Sequence, residues 1–194
     1  MKISWKHRDC DFSNPLAFEE KVEVFYEQTL GWQLHIADLI ANGGVPLGAI
    51  QPIQPIRHSG FAVLQICLSY FELIGSVLGE GRSSRKDFGT GARDVFPWLR
   101  DGSPGNKELL KRLYDGARCG LYHPGRIRRG IGLGQPQDGN PIAIDSVSSD
   151  VVVSPEILPR ALKAHLEDFK RRLIDPAERS LRAAFERRFD AGFP

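Results

Sequence analysis

Between Ser59 and Gly79 the chain runs for 21 residues with Glu72 as its only charged side chain. The stretch is helix length. Leu64, Leu68, Phe71, Ile74, Val77 and Leu78 recur at helical spacing and define a wide apolar face. A segment this apolar, interrupted by Gln65, Ser69 and Glu72, reads as the central buried helix of a bundle rather than a bilayer span. Every other element must then be amphipathic enough to cover it.

The flanking sequence supplies such elements. Ser13-Asn14-Pro15 reads as a helix start, followed by Phe18, Val22, Phe25, Trp32, Ile36 and Ile40, with Gly31 as a point of bending. Asn42-Gly43-Gly44 ends it, and 43–58, with three prolines, reads as a loop. Gly79 to Gly91 reads as a second, mobile loop without a phosphate-binding glycine motif, and Asp94 to Arg100 as a short helix. Asn106 is the expected cap of a helix carrying Leu109, Leu110, Leu113, Ala117 and Leu121, which Pro124 ends. Arg126 to Leu133, Pro141 to Asp145 and Val151 to Val153 are β-like and suggest a small hairpin. Ser154-Pro155-Glu156 opens a helix with Leu158, Leu162, Leu166, Phe169 and Leu173 inward. Asp175-Pro176 opens another with Leu181, Phe185 and Phe189. The expectation is one mainly α domain over 1–194, with its core at about 15–174, a C-terminal helix at 176–190 and a β-hairpin appended.

Hydrophobic residues at 41% and charged residues at 26% exclude a disordered or low-complexity chain. Cys10, Cys67 and Cys119 are odd in number and far apart, which argues against a disulfide framework and fits a reducing compartment. No metal-ligand spacing joins them to the five histidines. With no signal-type apolar run in MKISWKHRDCDF, a cytoplasmic protein without a membrane partner is expected. The net charge of +2 conceals an uneven distribution. Residues 1–60 hold five basic and seven acidic side chains, whereas 107–129 hold seven basic and two acidic. A local basic surface of this kind suits an anionic partner, although it also serves as an ordinary solvated face.

The same basic stretch contains Leu113-Tyr-Asp-Gly-Ala-Arg-Cys-Gly-Leu-Tyr-His123. Arg118 and His123 stand with four residues between them at the end of an amphipathic helix. Upstream lie the apolar helix with its acidic Glu72 and the short Val95-Phe-Pro-Trp element, and downstream the β-like segments. Over about 58–174 this arrangement resembles the HEPN family (higher eukaryotes and prokaryotes nucleotide-binding), whose signature is Arg, four to six residues, then His. The resemblance implies an up-and-down helical bundle that often dimerises, with two Arg/His pairs meeting across a cleft and no metal or other cofactor. It implies either a metal-independent endoribonuclease of a toxin or defence system, with an antitoxin protein as partner, or a module that binds RNA, nucleotides or another protein. Cys119 follows Arg118, where the active ribonucleases of the family usually carry a polar residue.

The residue types fit the chemistry on their own terms. Cleaving RNA without a metal needs a base for the ribose 2′-hydroxyl, an acid for the leaving oxygen and a cation for the phosphorane. A histidine suits the first two roles. The planar fork of an arginine suits the third. Arg118 and His123 are therefore the catalytic candidates, with Glu72, Asp115 and Tyr122 in support. Asp115 is placed to orient Arg118, and Tyr122 to stack on a base or on the guanidinium. Arg126, Arg128 and Arg129 are placed to follow the phosphate backbone. On an ideal helix Arg118 and His123 point about 140° apart, which favours a two-fold dimer supplying both groups to one cleft. The competing reading is a non-catalytic interaction module in which Arg118 pairs with Glu72 or Asp115 and His123 caps its helix. A Cys119–His123 nucleophilic pair is a third option, with no orienting group in view.

Overall fold

The computed structural model describes residues 4–8, 11–79, 83–123, 125–136 and 139–192. Cys10 and Pro124 lie outside the described residues. The fold is mainly helical with a small sheet, as the residue pattern predicts. In chain order it comprises α1 (Phe18–Thr29), a π-helical turn (Leu30–Leu34), α2 (His35–Asn42), α3 (Gly60–Leu78), α4 (Ser84–Val95), a 3-10 turn (Pro97–Asp101), α5 (Pro104–Arg112), a second π-helical turn (Leu113–Arg118), α6 (Cys119–Tyr122), β1 (Ile131–Leu133), β2 (Ile142–Ile144), β3 (Val151–Val153), α7 (Leu158–Ile174) and α8 (Arg179–Gly192).

Helix α3 is the common wall. By length and composition it is apolar enough to cross a membrane. Here its Val63, Leu64, Cys67, Leu68, Phe71 and Ile74 are buried beneath the neighbouring helices. Its expected inward face is as read from the spacing, with Leu78 half-buried at the helix end, and so are those of α7 and α8, whose inward leucines and phenylalanines all enter one core. Phe25 of α1 meets Phe185 of α8 edge-on, with centroids 5.3 Å apart. Lys21 ties the same two helices, donating to Glu186 at 2.9 Å and Asp190 at 3.0 Å.

The expected loop after α3 is a correction: from Ser84 onwards it is helix α4. Gly91 of α4 and Gly75 of α3 serve close approach rather than flexibility. A Cβ on Gly75 would lie 1.7 Å from the Asp87 carbonyl oxygen, and one on Gly91 would lie 1.9 Å from that of Phe71. Two helices can cross this tightly only where both lack side chains at the crossing. Phe88 then reaches Phe71, centroids 5.3 Å apart. The expected short helix at Asp94–Arg100 divides into the end of α4 and the 3-10 turn.

Helix starts also differ from the expectation. Helix α1 begins at Phe18, because the Ser13-Asn14-Pro15 segment serves it from outside: Glu20 accepts from the Ser13 N–H at 2.9 Å and the Ala17 N–H at 2.8 Å. Ser103, not Asn106, caps α5. Its hydroxyl accepts from the Asn106 N–H at 3.3 Å, while the Asn106 side chain donates to Trp98 O and Asp101. The expected hairpin is a mixed three-stranded sheet, ordered β1-β3-β2. β2 and β3 form an antiparallel pair, and β1 adds parallel to the other side of β3. Val151 and Val153 are both buried, so β3 belongs in the middle. Three-residue strands carry too little alternation to reveal that order.

Two polar clusters sit within this packing. Asp94 accepts from Arg172 at 2.9 Å and Arg100 at 3.2 Å, and pairs with His165 Nε2 at 3.1 Å; His165 Nδ1 bonds the Tyr70 hydroxyl at 2.8 Å. Burial alone would raise the Asp94 carboxyl, but the bonds from His165 and Arg172 outweigh it and hold it below the usual range. Glu27 is the opposite case. Burial, and then the charge of Glu23, push its carboxyl above the usual range against the opposing charge of Lys6. Its Oε2 is buried without a hydrogen-bond partner.

An acid whose pKa is raised by folding binds its proton more tightly in the native state, so stability falls as pH rises through that range. Glu27→Gln should therefore raise the thermal midpoint at pH 7–8, and the gain should shrink as pH falls toward the range in which Glu27 is protonated. Melting curves across pH 4–8 check this. A destabilised variant, or a gain that grows toward acid, would contradict it.

Candidate functional site

The site starts from a problem on α3. Glu72 is an acidic side chain on the most apolar helix, and a half-buried carboxylate needs a cation. Arg118 supplies it. Its Nε donates to Glu72 Oε1 at 2.5 Å and its Nη2 to Oε2 at 2.9 Å, with both side chains about one-fifth exposed. The paired carboxylate holds the Arg118 guanidinium above its ordinary range. Nη1 makes no hydrogen bond among the described residues. The expected proximity of Glu72 and Arg118 is thus present, as a bidentate pair.

Arg118 closes the π-helical turn, and α6 follows it. That wider turn departs from the ideal helix on which the 140° offset rests. Tyr122, four residues on, lies with its ring 4.4 Å from the Arg118 guanidinium and is 42% exposed. One ring face is thus used for the cation, in the arrangement expected for a stacked arginine. His123 is one residue further, past the end of α6. Its backbone N–H donates to Cys119 O at 3.1 Å. Its imidazole is exposed and makes no hydrogen bond among the described residues. Cys119 is a half-buried free thiol.

Asp115 does not orient Arg118. Both its oxygens are taken by Arg85 of α4, whose Nη1 donates to Oδ2 at 3.2 Å and whose Nη2 makes a shorter bond to Oδ1. Arg85 also stands over the Tyr114 ring at 4.7 Å, and Tyr114 hydrogen-bonds Ser84 at 2.9 Å. Arg85 and Ser84 belong to the segment expected to be a loop, so the sequence offered no signal for this contact.

The basic segment is held beside Arg118 by backbone, and it is not the strand expected at Arg126. The Arg126 N–H donates to Gly120 O and the Arg128 N–H to Gly116 O, each at 3.0 Å. Gly120 O is free to accept because residue 124, its ordinary helical partner, is a proline without an N–H. Gly116 and Gly120 are one turn apart. A Cβ on Gly120 would lie 2.5 Å from Arg126 O, and one on Gly116 would lie 2.9 Å from Ile131 Cγ1. This small-residue pair was a readable signal that pointed to a chain segment lying against the helix. It leaves the side chains of Arg126, Arg128 and Arg129 exposed. Among the described residues no group of three or more His, Cys, Asp or Glu side chains is placed to hold a metal ion.

In chemical terms, the site offers one clamped and stacked guanidinium, one exposed imidazole and three exposed arginines fixed to the same helix end. Coupling between Glu72 and Arg118 should be measurable. A double-mutant cycle with Glu72→Gln and Arg118→Gln, read by denaturant unfolding, should give about 1–3 kcal/mol, the range for partly buried charge-assisted pairs. A coupling of zero would contradict the pairing.

Compared with family models, with curated proteins and with solved structures, the chain matches none.

Proposed function

We propose that this chain is a HEPN-like, RNA-binding protein whose site is built from Arg118, Tyr122, His123 and the Arg126–Arg129 segment, acting as a metal-independent endoribonuclease of a toxin or defence system. The observation that carries the reading is the Glu72-clamped, Tyr122-stacked Arg118 beside an exposed His123 and a basic segment tethered at Gly116 and Gly120. Glu72 fixes the guanidinium plane in advance, so little ordering is needed when a phosphate arrives at Nη1. An unengaged imidazole is available for proton transfer. Arg126, Arg128 and Arg129 add salt-dependent affinity for a polyanion. In the same reading a second copy, related by a two-fold axis, completes the cleft, and an antitoxin protein covers it.

One observation favours the runner-up. Arg118 already has its counter-ion, and no hydrogen bond joins it to His123. That supports a non-catalytic module in which the Arg/His pair is structural and binding is the whole function.

The two readings separate in one assay. With single-stranded RNA in EDTA, the nuclease reading expects cleavage that leaves a 2′,3′-cyclic phosphate. His123→Ala should lose about 10²-fold or more in rate. Arg118→Ala should lose both rate and affinity. Salt-dependent RNA binding without cleavage supports the binding module. Neither binding nor cleavage, with Arg118→Ala only melting earlier, would overturn the RNA reading.

A further inference from the structure

A second feature lies on the same helix end. A cavity of about 150 Å³ opens between the end of α5, the start of the second π-helical turn and the segment leading into β1. Four cations line it: Lys111, Arg112, Arg128 and Arg129. Arg118 is not among its walls. Gly116, Ile131 and the side-chain stems give it a surface more apolar than polar.

We infer that this cavity is a phosphate-binding pocket beside Arg118, sharing Arg128 and Arg129 with the site proposed above, that takes one phosphate group of a larger anion. Three observations carry it. The first is charge. The only carboxylate in the lining is Asp115, and Arg85 occupies both of its oxygens. The cations around the cavity therefore face no unpaired acid within it. The second is preorganisation. Arg112 is held from outside the cavity, with Nε donating to Glu108 at 3.0 Å and Nη1 donating to Ser149 O at 2.7 Å. Its Nη2 makes no hydrogen bond among the described residues, and an arginine fixed this way gives up little freedom on meeting an anion. Arg128 is fixed at its backbone by the bond to Gly116 O.

The third is size. The cavity is well below the roughly 300–1,000 Å³ that buries a drug-sized ligand. It suits a single phosphate, with the remainder of the molecule lying outside. Gly116 sets that space, since a side chain there would press on Ile131 at 2.9 Å and reach the Arg128 Cβ at 3.9 Å.

The pocket stands on its own geometry; that its phosphate belongs to an RNA backbone rests on the function proposed above. Both sources are tested with the full chain. Inorganic phosphate is titrated at low ionic strength while backbone amide resonances are followed. Saturable shifts are expected at Gly116 and Ile131. Lys111→Gln with Arg129→Gln should weaken phosphate tenfold or more. Arg179→Gln with Arg187→Gln, which removes equal charge from exposed positions on α8, should leave it unchanged.

In parallel, a 12-nucleotide single-stranded RNA is titrated at several salt concentrations. Each lost phosphate contact should flatten the slope of log K against log salt by about 0.7. A flatter slope on Lys111→Gln alone, with Arg129 left in place, assigns the pocket to an RNA phosphate. Phosphate binding in the pocket by a chain that binds no RNA upholds the pocket, assigns it to a small phosphate compound and removes the RNA reading. Absence of saturable shifts at Gly116 and Ile131, or equal weakening in the α8 control, overturns the pocket whether or not RNA binds.

Discussion

A carboxylate on an otherwise apolar helix has to be answered, and the answer to Glu72 organises the functional end of this protein. Leaving it unpaired in its half-buried position would cost several times what a hydrogen bond contributes. Arg118 meets it with two parallel bonds, and a forked pair fixes a plane as well as a distance. The stacked Tyr122 ring follows from that plane. Helix α3 treats Tyr70 in the same way: its fully buried hydroxyl meets His165, which leads to Asp94 and its arginines. The central helix thus sends one polar connection into the structural network on α4 and α7 and another to the candidate site.

The second constraint is the absence of side chains at two crossings. Gly75 and Gly91 let α4 lie directly on α3, which brings Arg85 within reach of Asp115. Gly116 and Gly120 let the Arg126–Arg129 segment lie on the helix that carries Arg118. The first contact neutralises Asp115, one of the two acids in the basic stretch, and the second concentrates the arginines. Neither arrangement needs a charged group to attract another; backbone geometry gathers like charges, and the field that results is available to an anion.

Periodicity made the large helices legible. The inward apolar residues of α3, α7 and α8 repeat over enough turns to identify a face, and all but the half-buried Leu78 are buried. The Glu72–Arg118 contact was legible only as one of two alternatives, Glu72 or Asp115 as the partner of Arg118, because a lone acid on an apolar helix asks for a base. Helix α4 was not, since Gly91 resembles a loop residue until the backbone of α3 is placed against it. Asp115 was read by helical spacing as a partner of Arg118. Its true partner, Arg85, comes from that unrecognised helix. The π-helical turn at Leu113–Arg118 leaves no mark in the residue pattern, so angles drawn from an ideal helix do not hold across it. The strand order was hidden for a simpler reason: β1, β2 and β3 have three residues each, too few to distinguish a hairpin from a mixed sheet.

The central claim is that an anionic nucleic acid is held at the helix end formed by the second π-helical turn, α6 and the basic segment. Photo-crosslinking of single-stranded RNA carrying 4-thiouridine, followed by mass spectrometry of the crosslinked peptides, tests it most directly. The account predicts crosslinks within 111–131, with Tyr122 and Cys119 the foremost positions. Crosslinks confined to α7, α8 or the exposed 45–56 loop, with none in 111–131, would contradict it.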